Sequence, residues 1–150
     1  MYSTGPLSPA GLRTTPSWLL NQTASHAGRL VSEGFAAHDL RGYHARLLAA
    51  LAEDGPSSQA DLGRRCGIDR SDVVAAINDL VGRGFVVRAP DPADRRRNVI
   101  NLTDAGADEA RRLSKTVDRV QDKLLAPLSA AERAQLTRLL TRLLDHHSRH

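Results

Sequence analysis

Asp94 is followed by three consecutive arginines, Arg95, Arg96 and Arg97. A guanidinium is a planar fork of donors that stays charged at any physiological pH, so a cluster of three is suited to oxyanions such as phosphates. Two short β-branched runs flank this stretch, Phe85-Val86-Val87-Arg88 and Val99-Ile100-Asn101-Leu102, and both read as strands. The connection from Ala89 to Asn98 carries Pro90 and Pro92 and is too long for a tight hairpin turn, so it reads as a protruding charged loop. A run of charge by itself is most simply a solvated face. What gives this one meaning is the segment before it.

That segment contains two helices joined by a tight turn. Ser58 followed three residues later by Asp61 reads as a capping box opening a short helix that ends near Cys66. Gly67 stops it, Ile68 plugs the core, and Asp69 is placed to cap the next helix. On that next helix Val73, Ile77 and Leu80 form the inward face. Arg70, Ser71, Asp72, Ala75 and Asp79 remain for the outer face, with Ser58 and Gln59 at the start of the preceding helix. This is the helix-turn-helix spacing, in which a scaffold helix holds a second helix so that its polar face enters the DNA major groove. The arginine-tipped hairpin then acts as a wing, lying along phosphates or entering a narrow minor groove.

The elements that position these residues follow from periodicity. Residues 1–15, with Gly5, Pro6, Pro9 and Gly11, read as a flexible arm. Pro16 opens a helix on which Leu20, Ala24, Ala27, Val31 and Phe35 share a face. After Gly42 comes a helix with Leu47, Leu48 and Leu51 as its apolar side. Beyond the hairpin, Ala110, Leu113, Val117, Val120 and Leu124 approximate a heptad seam. Ser129 and Glu132 form a capping box for a last helix lined by Leu136, Leu139, Leu140, Leu143 and Leu144. The expected fold is therefore mainly α: a winged helix-turn-helix lobe over residues 42–103, with helices from residues 16–41 and 104–148 as a dimerisation region. One short lobe cannot bury three further amphipathic helices, so a homodimer is expected, its two-fold axis matching two half-sites.

Composition bounds the alternatives. The chain has 150 residues, a formal charge of +4, and 21 basic residues of which all but Lys115 and Lys123 are arginine. That balance permits a polyanionic partner such as double-stranded DNA. Aromatics make up only 3%, so the core must rest on Leu, Val, Ile and Ala. The single cysteine, Cys66, excludes an intramolecular disulfide, and it falls on the apolar face with Leu62, which points to burial. His146, His147 and His150 read as a frayed end, not a chelate. No phosphate-cradling glycine loop, nucleophile elbow or metal-ligand spacing is present, so no enzyme, metal or cofactor is expected. No apolar run approaches the roughly 20 residues of a membrane span, and no signal pattern opens the chain, so a cytoplasmic protein is the default. The competing reading is a winged helix used as a protein-interaction module, with weak and salt-insensitive DNA association.

From Gly55 to Gly106 the chain also resembles the MarR family of bacterial transcriptional regulators. The likeness is carried by Gln59-Ala60-Asp61-Leu62-Gly63, Gly67-Ile68-Asp69-Arg70-Ser71, Leu80-Val81-Gly82-Arg83-Gly84-Phe85-Val86-Val87-Arg88, Asp91-Pro92-Ala93-Asp94-Arg95-Arg96-Arg97 and Leu102-Thr103-Asp104-Ala105-Gly106. The resemblance implies a triangular homodimer that binds near-palindromic operators, often represses, and often releases DNA on binding a small phenolic or other anionic ligand. By position, Asp94 and Arg96 match the family's wing pair, in which the acid braces basic side chains and the arginine reaches the minor groove. Arg70 and Ser71 match groove-facing positions, whereas Val74 and Ala75 stand where a small polar residue and often an arginine are common. Trp18, His26, Arg29, Tyr43 and His44 lie near where such proteins form an effector pocket, and an arginine, histidines and an indole suit an anionic aromatic acid.

Overall fold

The computed structural model describes residues 8–149; the first seven residues of the expected arm, and His150, lie outside the described residues. Within the remainder of that arm Ser8 caps a single helical turn, α1 (Pro9–Leu12), accepting a hydrogen bond from the Gly11 amide. Pro16 then opens the long helix α2 (Pro16–Ala36), where a missing N–H costs nothing in the first turn. The lobe follows as α3 (Gly42–Asp54), β1 (Ser57–Ser58), α4 (Gln59–Cys66), α5 (Arg70–Gly82), β2 (Val86–Pro90) and β3 (Asn98–Leu102). Two helices complete the chain, α6 (Asp104–Leu124) and α7 (Ala130–Ser148). The expected order of helices, hairpin and helices is the one observed.

Apolar residues at helical spacing converge on one core inside the lobe. Leu47, Leu48, Leu62, Ile77, Leu80, Val86 and Ile100 are completely buried, joined by Leu51, Ile68 and Val73. Each such side chain contributes about 1.5–3 kcal/mol relative to an exposed one, so α3, α4, α5 and the hairpin hold each other in place. Ile68 is the plug between the two helices, and Gly67 ends α4 at φ +63°, in the left-handed region open to glycine. Ser58 Oγ accepts from the Asp61 amide at the start of α4, but no reciprocal bond from Asp61 completes a capping box. Asp69 occupies the cap position of α5 without a side-chain bond. Ser129 and Glu132 do form the full box on α7, and the Ser129 amide holds the Glu132 carboxyl below its usual range.

The sheet has three strands where the sequence predicts two. Order is β1-β3-β2, all antiparallel, with Ser57 opposite Ile100 and Ser58 opposite Val99. The hairpin is also longer than expected. Val86–Pro90 pairs with Asn98–Leu102 in unbroken register, so the loop shrinks to residues 91–97. Pro90 is tolerated because it is the last residue of an edge strand. The expected frayed end is likewise absent among the described residues: α7 runs to Ser148, with the His146 and His147 rings edge to face.

The terminal helices behave differently from the lobe. Neither α2 nor α7 contains a buried residue, although they run for 21 and 19 residues. On α6 the seam is only partly apolar. Leu113 and Val120 are buried, Val117 is 38% exposed, and Glu109 and Thr116 take the intervening buried positions. They do so because His38, just beyond α2, sits between them: its Nδ1 meets Glu109 Oε1 at 2.7 Å and its Nε2 meets Thr116 Oγ1 at 2.7 Å. No helix among the described residues is long and apolar enough to cross a membrane.

Candidate nucleic-acid interface

The outer face of α5 carries Arg70, Ser71, Val74, Ala75 and Asn78, all exposed, because the inward positions are taken by Val73, Ala76, Ile77 and Leu80. Asp72 is half-buried in the first turn, where a carboxylate complements the positive end of the helix dipole. Ser58 and Gln59, at the start of α4, line a groove of about 740 Å³ with Arg64, Arg70, Arg97 and Asn98. Two helix starts and the base of the wing thus open onto one concave surface.

The tip of the wing is organised by aspartate. Asp94 Oδ1 accepts from the Arg96 amide (3.1 Å) and from Arg96 Nε (3.2 Å), while Oδ2 lies 3.9 Å from Arg97 Nε. The Arg96 amide, then its guanidinium, with a further contribution from Arg97, hold the Asp94 carboxyl below its usual range. The Arg97 amide donates to the Asp94 carbonyl (2.9 Å), and the Asp91 amide to the Arg97 carbonyl (2.8 Å), which closes the loop. Arg96 keeps 92% of its side chain exposed and Arg97 73%. Arg95 is exposed as well. The acid therefore orders the loop while leaving the guanidinium faces open to solvent and to any phosphate.

Two contacts at this surface lie outside the residues singled out from the sequence. Arg88 Nη2 donates to Asn78 Oδ1 (2.6 Å), bridging β2 and α5. Arg65 pairs with Asp54 and donates to Ser57 Oγ (2.7 Å), tying α4 to β1. Period-two alternation from Val86 and the helical step from Ala75 would have flagged Arg88 and Asn78. Arg65 had no such signal, since its partners come from another element.

The five residues proposed for an effector are more scattered. Arg29 pairs with Glu33 on its own helix (3.4 Å), and Arg46 lies over the Tyr43 ring, 5.1 Å from its centroid. His44 Nδ1 accepts from the Arg41 amide (3.1 Å) and Nε2 faces Asp79 Oδ2 at 3.4 Å. Trp18 is half-buried and His26 exposed. No hydrogen bond or ion pair joins any two of the five among the described residues. Cys66 is half-buried against the core, its Sγ 3.6 Å from the Arg46 carbonyl. Burial pushes its thiol up, against the pull of Arg46 and Arg65.

A recognition helix braced by a scaffold helix, next to an arginine-tipped two-stranded wing, defines a winged helix-turn-helix protein. Residues 38–97 match the family model described as the MarR family. The repressor NicR of Pseudomonas putida is 32% identical over 98 residues, and a putative regulatory protein for the hcr operon of Thauera aromatica is 36% identical over 97. Each alignment takes in 65% of this chain, and it spans 62% and 58% of those two relatives. The PcaV transcriptional regulator of Streptomyces coelicolor superposes with a TM-score of 0.75 at 30% identity, over 90% of this chain and 98% of that one. A second structure of PcaV holds its natural ligand. The chain belongs to the MarR family, a family of transcription regulators and not of enzymes.

Proposed function

We propose that this chain is a DNA-binding transcription regulator that works as a homodimer. In this reading α5 enters the major groove and Arg95, Arg96 and Arg97 contact phosphates or the adjacent minor groove. The observation that carries it is the shared groove, where Arg70 from the recognition helix, Ser58 and Gln59 from the scaffold helix and Arg97 from the wing line one surface. Exposed guanidiniums held open by an aspartate brace suit the closely spaced oxyanions of a phosphate backbone, which favours DNA over a protein partner. Base readout falls to Arg70, Ser71, Val74 and Ala75, with thymine-methyl contacts from the last two. Asp94 orients the wing, and Asp72 stands at the helix start. The operator is near-palindromic, since two copies present two recognition helices about 34–36 Å apart. Repression is supported by the likeness to NicR. Response to a small ligand is supported by the natural ligand held by PcaV; in this reading the ligand is an aromatic anion that contacts Trp18, His26, Arg29, Tyr43 and His44 and releases DNA.

Fluorescence anisotropy with duplex DNA across a salt series tests this reading. Each phosphate contact adds about −0.9 to the slope of log affinity against log salt. Arg96→Glu is expected to flatten the slope by about one or more per subunit, and Arg70→Glu to weaken binding further. Added aromatic acids should lower affinity in the wild type and not in Arg29→Ala. Unchanged affinity and salt dependence in both charge reversals would remove the assignment.

A further inference from the structure

Asn78 is held in a way that exposure alone does not require. It lies on the outer stripe of α5, one helical step beyond Val74 and Ala75. Its Oδ1 accepts a 2.6 Å hydrogen bond from Arg88 Nη2 on β2. A guanidinium carries donors and no acceptor, so it can engage the amide only through the oxygen. An unrestrained asparagine presents either end to a partner, whereas this one is turned with its oxygen toward the wing strand and its amino group to the other side. Strand alternation places Arg88 for this role: it shares a face of β2 with Val86, which is completely buried in the lobe core.

We propose that Asn78 reads a base, and that Arg88 presets it as a hydrogen-bond donor. The Nδ2 amino group then favours a base whose major-groove edge offers an acceptor and rejects cytosine, whose edge offers only the N4 amino donor. Arg88 is a positioning residue that acts through Asn78. The inference rests on α5 entering the major groove, as proposed above. It adds an oriented polar reader to a helix whose middle, Val74 and Ala75, carries no base donor.

Selection of bound fragments from a random duplex library, followed by sequencing, tests it. The wild type is expected to deplete cytosine about tenfold at one position of each half-site, within the discrimination that base-edge contacts support. Asn78→Asp keeps a partner for Arg88 but replaces the donor with an acceptor, so cytosine becomes preferred there. Arg88→Lys retains a donor for Oδ1 and keeps the depletion. Arg88→Met frees the amide and levels the preference. A merely structural Asn78–Arg88 bridge gives the opposite result: Asn78→Asp strengthens the pair and leaves the selected motif as it was, which overturns the inference. Should the wild type select no motif at all, the regulator reading falls with it. A wild-type motif that every variant keeps sinks this inference alone.

Discussion

His38 is one of the residues through which the lobe and the long helices meet. Its ring is held by Glu109 and Thr116 of α6, and its carbonyl accepts from Arg83 Nη2 (3.0 Å), just after the recognition helix. Arg83 also donates to the Asp39 carbonyl (2.6 Å) and lies over the Phe85 ring. Glu109 is the most demanding member, a carboxylate only 4% exposed. Burial alone pushes its carboxyl up, but hydrogen bonds from Arg112 and His38 outweigh that and leave it below the ordinary value of 4.5. A group with a depressed folded pKa adds stability above its unfolded value, and that contribution disappears as pH falls through the folded one. Glu109→Gln should therefore lower unfolding free energy by about 1.5–3 kcal/mol at pH 7, the range for hydrogen bonds to a charged group. The gap to wild type should close well below pH 4.5, where the native carboxyl is itself protonated. Urea unfolding at pH 7 and pH 3 checks both halves. A gap that persists unchanged at pH 3 contradicts the charge-based account.

Among the elements, the joint between wing and α6 is the least tolerant of change. Thr103 caps α6 by accepting from the Gly106 amide (3.0 Å), and its hydroxyl donates to the Gly84 carbonyl (2.5 Å). The Thr103 amide donates to the Phe85 carbonyl (3.0 Å), which packs so closely on α6 that a Cβ at position 106 would lie 1.9 Å from that oxygen. Backbone must move to admit a methyl group, so Gly106→Ala is expected to cost about 3 kcal/mol or more, the upper range for overpacking. Thermal melting of the variant checks this, and an unchanged midpoint would show that α6 can slide. The alphabet of apolar steps made α3, α4, α5 and both wing strands readable, because those faces bury inside one chain. What stayed hidden was decided by partners distant in sequence. Ser57 and Ser58 have no β-propensity and form a strand because β3 offers an open edge. Pro90 reads as a breaker until its terminal place on an edge strand is known. Glu109 and Thr116 interrupt an expected apolar seam because His38 supplies a polar filling. Of the interface, the arginines and the helix start could be read from residue type, while the Asn78–Arg88 bridge needed two elements in register.

At the scale of the whole molecule, the distribution of leucine asks for a second copy. Leu139, Leu140, Leu143 and Leu144 on α7 are 42%, 39%, 47% and 68% exposed, and Leu19 and Leu20 on α2 are 47% and 42% exposed. Lone exposed leucines are ordinary, but two long helices without one buried residue leave contiguous apolar faces that a stable monomer rarely keeps. The lobe core does not depend on them, since its buried residues are Leu40 and residues from α3 through α6, with only Phe35 of α2 packed against it. Replacing Leu140 and Leu143 together by glutamate is therefore expected to give a folded monomer. Sedimentation should report a dimer for wild type at micromolar concentration and a monomer for the variant, with the helical circular dichroism of the lobe retained. DNA affinity should fall far more than either charge change explains, because two tethered recognition helices gain from effective concentration and one does not, an effect of roughly 10²–10⁴. A wild type that sediments as a monomer, or a variant that binds a two-site duplex as tightly as wild type, would separate DNA recognition from self-association and leave those helix faces to a different partner.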